Sequence, residues 1–282
     1  MVLNLRSPLA VASGPGGMGE YMEFIDPETL GAYILKTITL HPKEGATPPR
    51  LRAGKDFVIN RIGLENPGID AFVENVMAGK YNYLFEKVPV ILSLGGDSPD
   101  EYKEIARRVL PIIDRFIAVE YNFSCPNVEA GGLAIFSDRK VLKDIMVSVR
   151  DILKDTILIA KFGIEGIFVE QASDMVKDTG WNGITLINTI RGIVKTPDGY
   201  LRGGISGAVL KPIGIRAVYE VRQRHGDMFI MASGGVYTPE DVKDYLEVGA
   251  NAVQIGSALF KNPSIIDELY KAYLTNHRDK LS

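Results

Sequence analysis

The stretch MFIMASGGVYTPEDVKDYLEVGANAVQIGS, residues 228–257, contains the unit that decides the fold of this chain. Two apolar runs, MFIMASG (228–234) and AVQIGS (252–257), flank the segment PEDVKDYLEVG (239–249), in which apolar residues recur every three or four positions. That spacing is typical of a helix with one buried face, and short continuous apolar runs are typical of strands covered on both faces. The stretch therefore predicts a strand, a helix and a second, parallel strand.

The same pattern recurs through the rest of the sequence. Segments with helical spacing occur at 98–113, 138–154 and 168–180. Six further apolar runs precede the quoted unit: LAVAS (9–13), AYILKT (32–37), PVILSL (89–94), FIAVEYN (116–122), ILIAKF (157–162) and GITLINT (183–189). Eight parallel strands with intervening helices in a chain of this length predict an α/β fold, the (β/α)8 TIM barrel.

The organisation of the chain indicates one domain over residues 1–282, because no Pro/Ser-rich linker or shift in composition divides it. Two connections, 38–88 and 190–209, are too long for simple turns. Long loops in compact domains are usually functional. We therefore expect both to lie as insertions over the C-terminal mouth of the barrel, where active sites of this fold are found.

The composition excludes several classes of protein. Lys plus Arg number 32 and Asp plus Glu 35, so the net charge is -3, and 46% of residues are hydrophobic. These values fit neither a disordered chain nor a nucleic-acid-binding surface. The apolar runs are far shorter than the about twenty residues of a membrane span, and the N-terminus lacks the pattern of a secretory signal. We expect a cytoplasmic globular protein.

Each predicted strand ends in a polar residue or glycine. Lys36 and Lys161 end apolar runs, where an ammonium group loses solvation unless an anion or strong acceptor receives it. The last two strands end in SGG (233–235) and IGSA (255–258), and the loops after strands seven and eight are the recurrent phosphate site of this fold. These features predict a phosphorylated cofactor; the alternative is that the glycines only relieve packing at tight turns.

The only cysteine, Cys125, lies in NFSCPN (122–127), directly after the fourth strand. In an exposed loop its thiol can serve as a nucleophile or general base, whereas the alternative is a small buried apolar residue. One cysteine and three scattered histidines cannot hold an iron–sulfur cluster or zinc by themselves. Four asparagines offer the donors and acceptors that suit a planar, amide-rich ring: Asn60, Asn122, Asn127 and Asn188.

A competing motif, GPGGMG (14–19), matches the dinucleotide-binding pattern G-x-G-x-x-G. That fold requires an acidic residue at the end of the second strand, which here ends in Lys36 and Thr37. We therefore favour the barrel.

Taken in order, the motifs resemble those of class 1 dihydroorotate dehydrogenase, and more closely its NAD-linked 1B type. The resemblance covers nearly the whole chain. It lies in SPLAVASG (7–14), KTITLHPKEGATPPR (36–50), NRIGLENPG (60–68), NFSCPNVEAGG (122–132), INTIRGI (187–193), GGISGAVLKPIGIRAVYEV (203–221), SGGV (233–236) and VQIGSA (253–258). It implies a barrel that holds FMN and oxidises dihydroorotate to orotate in de novo pyrimidine (UMP) biosynthesis.

The resemblance also implies roles for single residues. Cys125 corresponds to the base that removes a C5 proton while a hydride passes from C6 to N5 of FMN, and Lys161 to a residue near the flavin N1/C2 edge. Ser93, Ser233 and Ser257 replace the usual Asn, Gly and Thr. The positions for the pyrimidine or its carboxylate are Lys36, Asn60, Gly63, Leu64, Asn122, Asn127, Asn188 and Thr189. The positions for flavin are Ser13, Lys36, Thr37, Ser93, Asn122, Lys161, Ile187, Gly207, Gly234, Gly235, Gly256 and Ser257.

The 1B resemblance implies a partner. Electrons would pass from FMN to NAD, yet this sequence supplies neither a dinucleotide-binding fold nor the ligands of a cluster. The resemblance thus places FAD and a [2Fe–2S] cluster on a second subunit, around a homodimer of this chain in a heterotetramer. Two alternatives stay open: a flavin-dependent reductase of another pyrimidine, of the dihydrouracil or tRNA dihydrouridine type, and a phosphate-sugar barrel without flavin.

Overall fold

The structure, a computed structural model, describes residues 3–123, 138–197 and 199–278, with side chains as far as residue 275. Within these ranges the strands are β1 (Leu9–Val11), β2 (Ala32–Ile34), β3 (Leu51–Ala53), β4 (Val58–Asn60), β5 (Val90–Leu94), β6 (Ala118–Asn122), β7 (Leu158–Phe162), β8 (Gly183–Leu186), β9 (Ile190–Thr196), β10 (Gly199–Ser206), β11 (Phe229–Ser233) and β12 (Ala252–Ile255). They form a closed barrel and a separate four-stranded sheet.

The barrel runs in the order β1-β2-β5-β6-β7-β8-β11-β12, and all its neighbouring strands are parallel. β12 pairs with β1, with Ala10 opposite Gln254, which closes the ring. Each barrel strand lies inside one of the eight predicted apolar runs. The predicted TIM barrel is confirmed, and the GPGGMG stretch forms the turns after β1 of this barrel instead of part of a dinucleotide-binding sheet.

The described α-helices pack around the barrel and include all the predicted helical segments. α3 begins after Ser98, whose hydroxyl accepts a hydrogen bond from the Glu101 N–H. It gives way to a 3-10 turn at Leu110–Arg115, because Pro111 lacks the N–H needed to extend an α-helix. No helix in the described ranges is long and apolar enough to cross a membrane. The helices are α1 (Ile69–Met77), α2 (Asn82–Phe85), α3 (Pro99–Arg108), α4 (Arg139–Ile152), α5 (Val169–Asp178), α6 (Lys211–Arg224), α7 (Pro239–Glu247) and α8 (Ile265–Arg278).

The interior of the barrel changes character along its axis. Successive side chains of a strand point to opposite faces, so residues two apart share the inner face. Near the N-terminal end, that face carries a small apolar cluster that includes Ala118, Ile159 and Ala252. Two residues further along the same strands stand the buried polar side chains Glu120, Lys161 and Gln254. The barrel is therefore apolar at its base and polar towards its C-terminal mouth.

The two long connections contain regular structure and pair with each other, which the sequence did not predict. β3, β4, β10 and β9 form an antiparallel sheet, with Gly204 of β10 opposite Asn60 of β4. All of β3 is exposed, and the residues of β9 alternate between exposed and half-buried. Strands whose residues alternate in exposure and include internal glycines, such as β9 and β10, lack the continuous apolar signal of the barrel strands. We call this sheet, together with residues 61–68, the canopy.

Candidate active site

A cavity of about 380 Å³ lies at the C-terminal mouth, between the barrel and the canopy. This volume is typical of small-molecule sites, which span about 300–1,000 Å³. The canopy contributes Leu51, Val58 and Asn60 to its wall, as expected for insertions over the mouth. The cavity brings together these predicted site residues: Ser13, Lys36, Thr37, Asn60, Gly63, Leu64, Asn122, Lys161, Ile187, Asn188, Thr189, Gly207, Gly234, Gly235, Gly256 and Ser257.

Three predicted site residues do not contribute to the described cavity wall. Cys125 and Asn127 lie outside the described residues. Ser93 is fully buried behind Thr37, and their hydroxyl oxygens are 2.9 Å apart. The Thr37 hydroxyl lies 3.2 Å from that of Ser13. Ser93 thus continues a chain of hydroxyl groups from the cavity into the barrel, level with Glu120 of β6.

Lys161 and Gln254 line the bottom of the cavity, and the fully buried side chains Glu120 and Thr185 lie behind them. We call these four residues the floor quartet. The Lys161 ammonium donates to Oε1 of Gln254 at 3.2 Å and lies 3.6 Å from Oε1 of Glu120. The Gln254 amide and the Thr185 hydroxyl donate to Oε2 of Glu120 at 2.7 and 2.8 Å. The acceptors that the sequence required for Lys161 are therefore present in the barrel itself.

Glycines line the cavity after β11 and β12. Gly234 and Gly235 have φ of +116° and +74°, a region that favours glycine. A Cβ on Gly235 would come within 2.6 Å of the Lys211 backbone nitrogen at the start of α6. The Tyr245 hydroxyl donates to the Gly234 carbonyl at 2.6 Å, which fixes the first glycine. Backbone here can approach a ligand without interference from a side chain.

Ion pairs support the loop that contains Gly234 and Gly235, which we call the glycine loop. Lys211 lies 2.5 Å from Asp241 and 2.7 Å from Asp244 of α7. Asp241 also accepts the N–H groups of Tyr237 and Thr238, both at 2.8 Å. Burial opposes ionisation of Asp241, but the Lys211 ammonium and these two N–H groups together hold its pKa below the usual value. The carboxylate is thus charged at neutral pH and joins α6, α7 and the loop between β11 and α7.

Amide side chains occupy another part of the wall. Asn188 donates through Nδ2 to Oδ1 of Asn122 at 3.2 Å and accepts the Thr189 N–H at 2.8 Å. Asn60 donates to the Gly204 carbonyl at 3.2 Å. These bonds orient the amides towards one region of the cavity, where they offer both donors and acceptors to a planar ring.

Asn66 holds the canopy loop beside them, and the sequence analysis did not single it out. Its Oδ1 accepts the N–H groups of Thr39 and Gly68 at 3.1 and 2.9 Å, and its Nδ2 donates to the Leu64 carbonyl at 2.6 Å. Leu64 has φ of +54°, the only described residue other than glycine with positive φ. Asn66 is therefore the internal brace that keeps Leu64 at the cavity.

The segment that leads to Cys125 begins from a fixed point. Phe123 is buried, and its N–H donates to the Lys161 carbonyl at 2.9 Å. Its ring lies 5.3 Å from that of Tyr102, 5.5 Å from that of Phe162 and 5.6 Å from that of Trp181, between centroids. The aromatic cluster therefore anchors the chain two residues before Cys125.

Sequence analysis also missed Glu120 and Gln254. Each is a polar residue inside an otherwise apolar run, two positions before a predicted site residue, Asn122 or Gly256. Residues two apart on a strand share a face, so this spacing was the available signal.

Comparisons with known proteins agree with this geometry. The family model described as dihydroorotate dehydrogenase matches residues 1–275. The chain is 51% identical over 273 residues to the dihydroorotate dehydrogenase B (NAD(+)) catalytic subunits of Thermotoga petrophila and Thermotoga maritima, covering 97% of this chain and 98% of each of those proteins. It is 34% identical over 268 residues to the subunit of the same name from Desulforudis audaxviator, covering 93% and 85% of the two chains.

A solved structure supports the fold. The crystal structure of DHODH in complex with ferulenol from Eimeria tenella aligns with a TM-score of 0.78 at 21% identity, covering 97% of this chain and 82% of that one. The family model and the Thermotoga relatives confirm the resemblance predicted from the motifs, including its NAD-linked type. This chain belongs to the dihydroorotate dehydrogenase family.

Proposed function

We propose that this chain is the catalytic subunit of an NAD-linked dihydroorotate dehydrogenase, which oxidises dihydroorotate to orotate in pyrimidine biosynthesis. The observation that carries the proposal is one cavity that combines a glycine-lined end, a buried ammonium group and a set of oriented amides. The 51% identity to catalytic subunits of that name supports it.

The residues present fit FMN as the cofactor. Gly234 and Gly235 line the cavity without a side chain, so that backbone there can approach a phosphate closely. The 6% exposed Lys161 provides a cation at the floor, and Ser13 and Thr37 provide hydroxyl groups. Bound FMN supplies a two-electron acceptor for the hydride of dihydroorotate.

The part of the cavity wall that carries the asparagine side chains, which we call the amide wall, is the proposed site of the pyrimidine. Asn60, Asn122 and Asn188 match the donors and acceptors of a ring with two amide groups, and Lys36 at the same cavity matches a carboxylate. Asn127 belongs to the same proposed set. Dihydroorotate carries a carboxylate that dihydrouracil lacks, so Lys36 favours the first over the second.

Cys125 is the proposed base for the C5 proton. It follows Phe123 by two residues, and the chain before it is anchored beside Asn122 at the cavity wall. A thiol titrates at about pH 8.5 when unperturbed, so a fraction of it is ionised near neutral pH and can accept a proton.

A partner subunit completes the proposal. The relatives are named catalytic subunits, a term that implies a further subunit. Within the described ranges, no group of three or more His, Cys, Asp and Glu residues could hold a metal ion. We propose that FAD and a [2Fe–2S] cluster on the partner carry electrons to NAD, with a homodimer of this chain at the centre of a heterotetramer.

The test is an anaerobic half-reaction. Purified chain should carry FMN, and mixing with dihydroorotate should bleach the flavin absorbance, whereas dihydrouracil should bleach it far more slowly. NAD should be reduced only when the partner subunit is added. The proposed function would be refuted if the chain purified without flavin and did not take up added FMN. It would also be refuted if dihydroorotate did not reduce the bound flavin.

A further inference from the structure

The floor quartet contains a carboxylate that the proposed reaction does not use. Glu120 is fully buried, and its Oε1 has no hydrogen-bond partner among the described atoms. The Lys161 ammonium, 3.6 Å away, is the cation paired with it. An isolated buried carboxylate is costly, and a buried charge is tolerated when an opposite charge compensates it. Lys161 and Glu120 therefore form a charge-balanced pair.

The other two members fix how this pair is oriented. Gln254 and Thr185 both donate to Oε2 of Glu120, so its second oxygen is directed towards Lys161. An amide that donates through its NH2 group to a carboxylate presents its carbonyl oxygen on the other side. That oxygen of Gln254 accepts from Lys161 at 3.2 Å. The carboxylate and the ammonium are thus held in one arrangement across four strands.

The pair faces the cavity with its positive end. Lys161 lines the cavity, whereas Glu120 lies behind it in the barrel interior. A ligand above the floor therefore meets an ammonium group whose field is partly cancelled by a carboxylate close behind. Charges this close interact strongly where water is excluded, so the cancellation is substantial.

We propose that Glu120 is a positioning residue that counterbalances Lys161 and limits how strongly the floor stabilises negative charge on the bound cofactor. This inference rests on the proposed function, because the ligand concerned is FMN, which gathers negative charge on reduction. In this arrangement Lys161 sets the sign of the effect and Glu120 sets its size.

The test is a double-mutant cycle on the FMN-loaded protein, with the flavin reduction potential as the readout. Glu120→Gln should raise the potential by about 30 mV or more, which is tenfold in the preference for reduced over oxidised flavin for a two-electron couple. Lys161→Met should lower it. Adding Glu120→Gln to Lys161→Met should leave the potential of the single Met variant unchanged, because a buried carboxyl group whose compensating cation has been removed becomes neutral and no longer acts on the flavin.

Two further variants keep this result interpretable. Glu120→Asp retains the charge but withdraws it from Lys161, so it should raise the potential by less than Glu120→Gln, and it serves if the Gln variant does not fold. Asp97→Asn is the matched control, because Asp97 pairs with Lys43 at 2.6 Å and has a buried, unpartnered Oδ1 but lies outside the cavity lining. It should leave the potential unchanged.

The inference fails if Glu120→Gln lowers the flavin reduction potential or leaves it unchanged. It also fails if Glu120→Gln shifts the potential equally in the wild-type protein and in the Lys161→Met variant. A second arm needs no flavin. In the cofactor-free protein, Lys161→Met should lower the melting temperature, and the added Glu120→Gln should recover most of the loss. Absence of recovery would refute the pairing, whereas a wild-type chain that holds no flavin would refute the proposed function and leave the pairing measurable.

Discussion

The floor and the canopy of the cavity are built in opposite ways. The floor quartet comes from β6, β7, β8 and β12, whose alternation and pairing fix every inward side chain. The canopy strands carry exposed residues such as Leu51 and Ile193, which are 44% and 53% exposed. The canopy loop depends on a few bonds from Asn66. Fixed charge thus lies in the barrel core, whereas the canopy contributes Asn60, Gly63 and Leu64 to the groups proposed to contact substrate.

The largest expected effect separates the chemistry from the floor. Cys125→Ser should slow flavin reduction by dihydroorotate about a hundred- to ten-thousand-fold at neutral pH, because the proposed general base is lost. FMN content should not change, since the floor and the glycine loop are intact, and raising the pH should recover part of the rate. Stopped-flow bleaching measures this. An unchanged rate would remove Cys125 from the mechanism.

A second change should loosen the canopy alone. Asn66→Ala leaves the N–H groups of Thr39 and Gly68 without their acceptor. Losing the partner of a buried donor costs about 1–3 kcal/mol. We expect hydrogen exchange to increase in residues 61–68 and KM for dihydroorotate to rise, while exchange in β6 and β7 stays slow. If the barrel strands exchange faster to the same degree, the floor and canopy are not independent.

The glycine loop is part of the barrel and not of the canopy, and Gly235→Ala tests its proposed role in binding FMN. The left-handed backbone costs a residue with a Cβ about 1–2 kcal/mol, and the contact with Lys211 adds to this. FMN affinity should fall about tenfold or more, as measured by fluorescence titration of the cofactor-free protein. Gly226→Ala is the matched control, because a Cβ there meets nothing within 4 Å. Equal losses in both variants would contradict a specific role for the loop.

The smallest expected effect concerns the loss of stability at acid pH. Because the pKa of Asp241 in the folded protein lies below the ordinary value of about 3.9, its contribution is complete above that value and is lost as the pH falls through the folded-state pKa. Asp241→Asn should lower the melting temperature at pH 7. Below about pH 4, the melting temperature of the variant should fall less steeply with pH than that of the wild-type protein. Between pH 5 and 7 both proteins should show no change from this group. If the melting temperatures of the wild-type protein and the Asp241→Asn variant fell in parallel below pH 4, the loss of stability in acid would come from other carboxylates.

The barrel could be predicted from sequence because each of its strands is buried on both faces, which leaves an apolar run such as ILIAKF that few other structures explain. The strand ends then led to the cavity, since parallel strands of a barrel all end at one mouth. Residues as distant in sequence as Ser13 and Gly256 meet there for that reason.

The canopy and the floor quartet escaped prediction for different physical reasons. β3 and β4 form one hairpin and β9 and β10 another, and the pairing that joins the two hairpins, β4 with β10, links residues far apart in sequence and leaves little local pattern. Glu120 is compensated by Lys161, Gln254 and Thr185 from three other strands, so its burial becomes understandable only once the barrel has closed. The role of Cys125 came from the family resemblance and stays a prediction.

The aromatic cluster behind the amide wall has an optical consequence. Trp181 is the only tryptophan in the chain; its indole N–H donates to the Met146 carbonyl at 2.9 Å, and its ring lies 5.5 Å from that of Tyr121 and 5.6 Å from that of Phe123, between centroids. Tryptophan fluorescence of this protein therefore comes from one buried site, beside Phe123, the last described residue before Cys125. A change in emission on adding a ligand would report rearrangement at that site, without any label.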